Sequence, residues 1–250
     1  MNIQVCCPYQ KCVYNCPMCI AKGHKHNYKF SNNTNSQEYY DNLSNIIEYE
    51  QTCDVILTGE CDPSQNMQWV KKVLTQLKDT YFSGSVELQT RNYNIDVQKL
   101  EDLDLGVLSY SIVYLKDYLK SHSFNKLRVG INRLVILLTK EFEFLNKDTF
   151  NTMGFNQVTF KTLQYGEDKN VNKWIDENKM SEDGVNRIRE IIEFYNGSKE
   201  CSVRLDENCQ DATNRYYIYR SDGKLYKNWE EENALEINRF IRKEDEDEYY

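Results

Sequence analysis

The chain has 250 residues, 40% of them hydrophobic and 13% aromatic, enough apolar material for one barrel-sized core. No apolar run approaches the roughly 20 residues of a membrane span, and the opening MNIQVCCPYQ lacks the basic and then apolar pattern of a secretion signal, so a cytoplasmic chain is expected. Of the formal net charge of −8, five charges fall in the run Glu244 to Glu248, which leaves −3 for the rest and no concentrated basic stripe of the kind nucleic-acid binders present.

Short β-rich runs alternate with helically spaced segments, the pattern of βα units around a mostly parallel sheet. The first run, NIQVC (Asn2 to Cys6), leads into a cysteine-rich loop. Ser36 can then cap a helix whose Tyr40, Leu43, Ile46 and Ile47 share one face. DVILT (Asp54 to Thr58) reads as the second strand, and the spacing of Met67, Val70, Leu74, Leu77 and Tyr81 marks a second helix. The third to sixth strands are SVELQT (Ser85 to Thr90), GVLSYSIV (Gly106 to Val113), LRVGINRLVILL (Leu127 to Leu138) and QVTFKTL (Gln157 to Leu163). Between the last two, the spacing predicts a helix over Glu141 to Phe150. VNKWIDENKM and a stronger helix after Ser181 follow; in the latter Val185, Ile188, Ile191, Ile192 and Tyr195 align, and Gly197 can terminate it. Beyond that point CSVRL and NRYYIYRSDGKLYKNW alternate and turn at Asp222-Gly223. The expected fold is α/β, a partial (β/α)6 barrel over 1–200 with a cluster loop at 6–26, a small C-terminal β-hairpin appendage over 201–243 and an acidic tail over 244–250.

Nine cysteines make an odd count, and five of them lie between Cys6 and Cys19, which favours reduced thiols on a metal over a disulfide framework. CVYNCPMC sets Cys12, Cys16 and Cys19 at gaps of three and then two residues. Closed structural metal sites take four protein ligands, whereas sites that do chemistry keep a position open. Three thiols after the first strand, on the face where barrel active sites gather, therefore imply a reaction. Other strand ends offer polar groups above the same loop. LTGE (Leu57 to Glu60) brings Gly59, which allows close approach of backbone to a ligand, and Glu60, an acceptor for an ammonium group. QTRN (Gln89 to Asn92) ends the third strand, and Ser109 and Ser111 share one face of the fourth.

The CxxxCxxC spacing of Cys12, Cys16 and Cys19, with TGE in the place of a GGE motif, resembles the radical SAM superfamily over roughly residues 1–165. Thr90 and Asn92 of TRN stand where that family often has Thr-Asn-Gly, and LSYS stands where it often has ribose-contacting polar residues. Asn132 lies in a fifth strand similar to those of its molybdenum-cofactor branch. The resemblance implies a barrel of radical SAM type and a [4Fe–4S] cluster on Cys12, Cys16 and Cys19 whose fourth iron is chelated by S-adenosylmethionine. Fed by an external electron donor, the cluster would cleave that cofactor to methionine and a 5′-deoxyadenosyl radical, which abstracts hydrogen from a small-molecule, nucleotide or peptide substrate. Gly59 and Glu60 would hold the methionine amino group, Asn132 would reach its carboxylate, and Ser109 or Ser111 would bond the ribose. Met18 replaces the aromatic residue that usually lies near adenine, and Cys61-Asp62-Pro63 replaces the usual Pro-Leu.

Two alternatives, and two open points within the chain, stand beside this reading. The chain could be an activating enzyme for a glycyl-radical partner protein. His24 or His26 could complete a Cys₃His zinc site, giving a non-catalytic interaction protein whose acidic tail engages a basic partner. Cys201 and Cys209 could serve a second cluster or be buried structural cysteines, and Arg204 to Arg215 could be a solvated loop or a lid over a polar substrate.

Overall fold

In a computed structural model, which describes residues 2–8, 10–19, 32–49, 54–59, 61–80, 82–207, 216–229 and 233–235, nine strands form one sheet. Seven are parallel neighbours in chain order: β1 (Asn2–Cys7), β2 (Asp54–Gly59), β3 (Ser85–Thr90), β4 (Val107–Ile112), β5 (Ile131–Leu137), β6 (Gln157–Lys161) and β7 (Ser202–Asp206). On the far side of β1 lies β8 (Tyr217–Tyr219), also parallel, with β9 (Leu225–Tyr226) antiparallel beyond it. The helices among the described residues are α1 (Gln37–Tyr49), α2 (Met67–Asp79), α3 (Gln98–Glu101), α4 (Leu115–Lys120), α5 (Lys169–Asn178) and α6 (Glu182–Tyr195). No helix among them is long and apolar enough to cross a membrane.

Joining each parallel strand to its immediate neighbour by right-handed crossovers puts the connecting helices on one side of the sheet. Strand alternation follows from that. Ile3, Val5, Val55, Leu57, Val86, Leu88, Leu108, Tyr110, Leu134, Ile136, Val158 and Phe160 are buried on the helical side, where Leu43 and Ile46 of α1, Trp69, Val70 and Leu74 of α2 and Ile188 and Ile191 of α6 join the same core. The alternate residues include a polar row: Gln89, Ser109, Arg133 and Gln157 stand side by side across four strands. Arg133 pairs with Glu87 and donates from Nε to Gln157 at 2.9 Å, and Arg204 Nε donates to Thr159 at 3.1 Å. Tyr216, which leads into β8, feels the charges of Glu87 and Asp54 as well as those of Arg133 and Arg204. Among the described residues the sheet keeps two open edges, β7 and β9, and does not close, which is consistent with a partial α/β barrel.

Two expectations are corrected. The described strands of 201–243 join the barrel's sheet: CSVRL extends it as β7 against β6, and β8 pairs with β1, while β8 and β9 form the expected hairpin through Asp222-Gly223. An edge strand of a parallel sheet and a hairpin arm carry the same alternation, so the sequence pattern names the strand and not its partner. Over Glu141 to Phe150 there is one 3-10 turn (Lys140–Phe142) and no α-helix. Phe142, Leu145 and Phe150 are buried as a helix would bury them, but the Asn146 side chain accepts from the N–H groups of Asp148 and Thr149 and holds a turn instead. Ser181 caps α6 by accepting from the Gly184 N–H at 3.2 Å, and Gly197 follows that helix at φ +80°.

Candidate cofactor site at the C-terminal edge of the sheet

The loop after β1 carries Cys12, Cys16 and Cys19, all partly buried, and three contacts dock it on neighbouring strand ends. Gln65, in the 3-10 turn that follows β2, accepts from Val13 N–H at 3.1 Å and donates to the Lys11 carbonyl at 3.3 Å. Arg91, immediately after β3, donates from Nη1 to Cys16 Sγ at 2.8 Å and from Nη2 to Asp117 Oδ2 at 2.7 Å. Its guanidinium lies 5.5 Å from the Tyr14 ring and 5.8 Å from the Tyr114 ring. Inside the loop, Cys19 N–H donates to the Cys16 carbonyl at 3.3 Å.

Asp62 supports this arrangement from below. Its Oδ1 accepts from Ser64 N–H at 2.9 Å and from the Thr90 hydroxyl at 2.8 Å, and its Oδ2 accepts from Arg91 N–H at 2.6 Å. One buried carboxylate thus ties the end of β2 to the end of β3 and fixes where Arg91 leaves the sheet. Burial pushes the Cys16 thiol up, and the Arg91 cation beside it opposes that. Burial, with the Asp62 charge, pushes the Tyr14 phenol up to about 12.

The other expected site residues divide into three groups. Gly59 ends β2 at φ +141°, hard against Cys7; Met18 is partly buried in a turn of the cysteine loop; Ser111 is partly buried near the end of β4 on the polar face. Thr90 and Asn92 are at the right end of β3, but Thr90 is taken up by Asp62 and by the Asn92 N–H, and Asn92 Oδ1 accepts from Asn94 N–H. Ser109 is fully buried on the polar face, its hydroxyl without a partner among the described residues.

Asn132 is a correction. It sits at the opposite, N-terminal end of β5, where its amide accepts from Leu127 N–H at 2.7 Å and donates to the Leu127 carbonyl at 3.0 Å. Its side chain stitches the bend before the strand and faces away from the cysteine loop. Glu60, His24, His26, Cys209, the acidic tail and most of Arg204 to Arg215 lie outside the described residues. Cys201 is buried at the start of β7, and burial pushes its thiol up to about 11, as for a structural cysteine.

Sequence reading passed over Arg91, Asp62 and Gln65 as site residues. Arg91 stood inside TRN and Asp62 inside a departure from the family's pattern, so the signal was a charged residue at a strand end opposite a predicted thiol loop.

The fold and the loop define the class of architecture: an unclosed, mostly parallel α/β sheet with a three-cysteine loop over the C-terminal end of its first strand. No protein-family model and no curated protein matches the sequence. Among solved structures the chain is similar to native anSMEcpe with bound AdoMet, with a TM-score of 0.60 at 14% identity over 90% of this chain and 73% of that one. At that identity the likeness is one of fold.

Proposed function

We propose that this chain is a radical S-adenosylmethionine enzyme, with a [4Fe–4S] cluster on Cys12, Cys16 and Cys19. The observation that carries the reading is the docking of the three-thiol loop, through Arg91 on Cys16, over the C-terminal edge of a sheet whose fold also occurs in an AdoMet-bound protein. What supports a cluster is the donor type, three thiols on one loop with no fourth protein ligand among the described residues. Sulfurs around one tetrahedral ion stand about 3.8 Å apart, from bonds of about 2.3 Å, whereas a cluster takes each thiolate on a different iron and spreads them further. The three thiols share one loop, partly buried at the C-terminal edge of the sheet, and among the described residues no three His, Cys, Asp or Glu side chains are gathered to hold a metal ion.

When bound, the cluster would pass one electron to S-adenosylmethionine and so supply a 5′-deoxyadenosyl radical. This chain's residues do the rest. Arg91 balances negative charge at the Cys16 sulfur, the Gly59 backbone and Glu60 hold the methionine amino group, and Ser111 faces the ribose. Gln89, Arg133 and Gln157 form a polar floor that orients a substrate by hydrogen bonds. The test is electron paramagnetic resonance on anaerobically reconstituted, dithionite-reduced chain with and without S-adenosylmethionine. A [4Fe–4S]⁺ signal that changes shape on addition is expected. Zinc without iron or sulfide in anaerobically purified chain would overturn the reading in favour of an interaction protein.

Arg91 gives a second measurable expectation. Loss of a cation and a hydrogen bond at a cluster sulfur disfavours the reduced state, so Arg91→Ala should lower the midpoint potential by on the order of tens of millivolts. Arg91→Lys keeps the charge without the fork and should recover part of the shift. Equal potentials in all three proteins, read by redox titration, would remove Arg91 from the cluster's surroundings.

A further inference from the structure

Beneath the cysteine loop two further thiols meet. Cys7 closes β1, Cys61 follows the end of β2, and their sulfurs lie 3.1 Å apart. Both are unbridged and buried, 2% and 5% exposed. The meeting depends on Gly59: a Cβ there would stand 2.7 Å from the Cys7 nitrogen and 3.0 Å from its Sγ, so only glycine lets β2 pass this close. Cys61 Sγ lies 3.3 Å from the Pro8 carbonyl, and the backbone and side-chain amides of Gln10 face it. Gln10 Nε2 is buried with no partner within hydrogen-bond distance. The proposed cluster ligation uses none of these groups.

We propose that Cys7 and Cys61 are a redox-active dithiol, a site of two-electron oxidation by hydrogen peroxide that closes reversibly to a disulfide between the ends of β1 and β2. The sulfurs need to approach by only about 1 Å to reach the bonding length of about 2.05 Å. Cys61 is the attacking member. The Cys7 hydrogen bond and the Gln10 backbone N–H lower its pKa, whereas the bond to Cys61 and burial push Cys7 well up.

In the first step the Cys61 thiolate attacks one peroxide oxygen, the O–O bond breaks, hydroxide leaves and Cys61 becomes a sulfenic acid. The Cys7 sulfur then displaces that oxygen, forming the S–S bond and releasing water with the Cys7 proton. Two thiols have lost two electrons, and peroxide has become two waters. Burial selects against large oxidants, because thiols only 2% and 5% exposed do not admit a glutathione disulfide.

The experiment takes the full chain, freed of iron by chelation and fully reduced, exposes it to hydrogen peroxide, alkylates the remaining thiols and maps peptides by mass spectrometry. A Cys7–Cys61 linked peptide, two hydrogens lighter than its halves and lost on dithiothreitol treatment, is expected. In Cys7→Ser the sulfenic acid should persist at Cys61 and be captured by dimedone. Full alkylation of both cysteines after peroxide, or linkage of either mainly to Cys12, Cys16 or Cys19, would overturn the proposal. No cluster is needed for this measurement, so its outcome is independent of the enzyme assignment.

Discussion

Cys16→Ala should reduce cleavage of S-adenosylmethionine to the level seen without protein, while the chain stays folded. Cys16 is the thiol that Arg91 reaches at 2.8 Å, so it joins the loop to β3 as well as offering a ligand. Removing it leaves two thiols, and a cluster held by two is lost to solvent. The cost to folding is small by comparison, about 1 kcal/mol for a hydrogen bond at a partly exposed loop position. Cys201→Ala is the control, since that thiol is buried at the start of β7 away from the loop. Iron and sulfide content, 5′-deoxyadenosine yield and chemical denaturation separate the outcomes. Undiminished 5′-deoxyadenosine from Cys16→Ala would end the proposed function, and equal loss from Cys201→Ala would show that the assay reports folding alone.

The sequence reveals strands better than it reveals their partners. The first six strands are legible because buried parallel strands appear as short β-branched and leucine runs between helical spacings, and that signal is local. β7 is equally visible as CSVRL, but whether it adds to β6 or to a hairpin depends on which edge is open, which no five-residue window records. The same limit governs the site. Three thiols at fixed spacing are legible because the ligands lie within one loop, whereas Arg91 becomes part of it only when β3 lies two strands from β1. Asn132 shows the opposite error. Its strand was identified, but its place at the strand's N-terminal end put its amide out of reach of the loop. The pairing of Cys7 with Cys61 was also hidden, because 53 residues separate two thiols that the sheet register brings together.

Asp62→Ala should destabilise the chain by about 3 kcal/mol, because a buried carboxylate that accepts three hydrogen bonds leaves all three donors without a partner when it goes. The side chain is 8% exposed, so water does not readily replace it. Two of the donors, Thr90 Oγ1 and Arg91 N–H, fix the exit of the chain from β3, and the third, Ser64 N–H, begins the turn that carries Gln65. Both clasps on the cysteine loop, Gln65 from one side and Arg91 from the other, therefore depend on the same carboxylate. Asp62→Asn keeps one acceptor oxygen and should lose about half as much stability, since charge-assisted bonds are roughly twice as strong as neutral ones. Urea denaturation of the iron-free chains measures these differences, and iron retention after reconstitution measures their reach into the loop. If Asp62→Ala lost less than about 1 kcal/mol, the donors would have found other acceptors. If it lost stability but kept its iron as firmly as the parent, the loop would be held by the cluster and not by the strand ends.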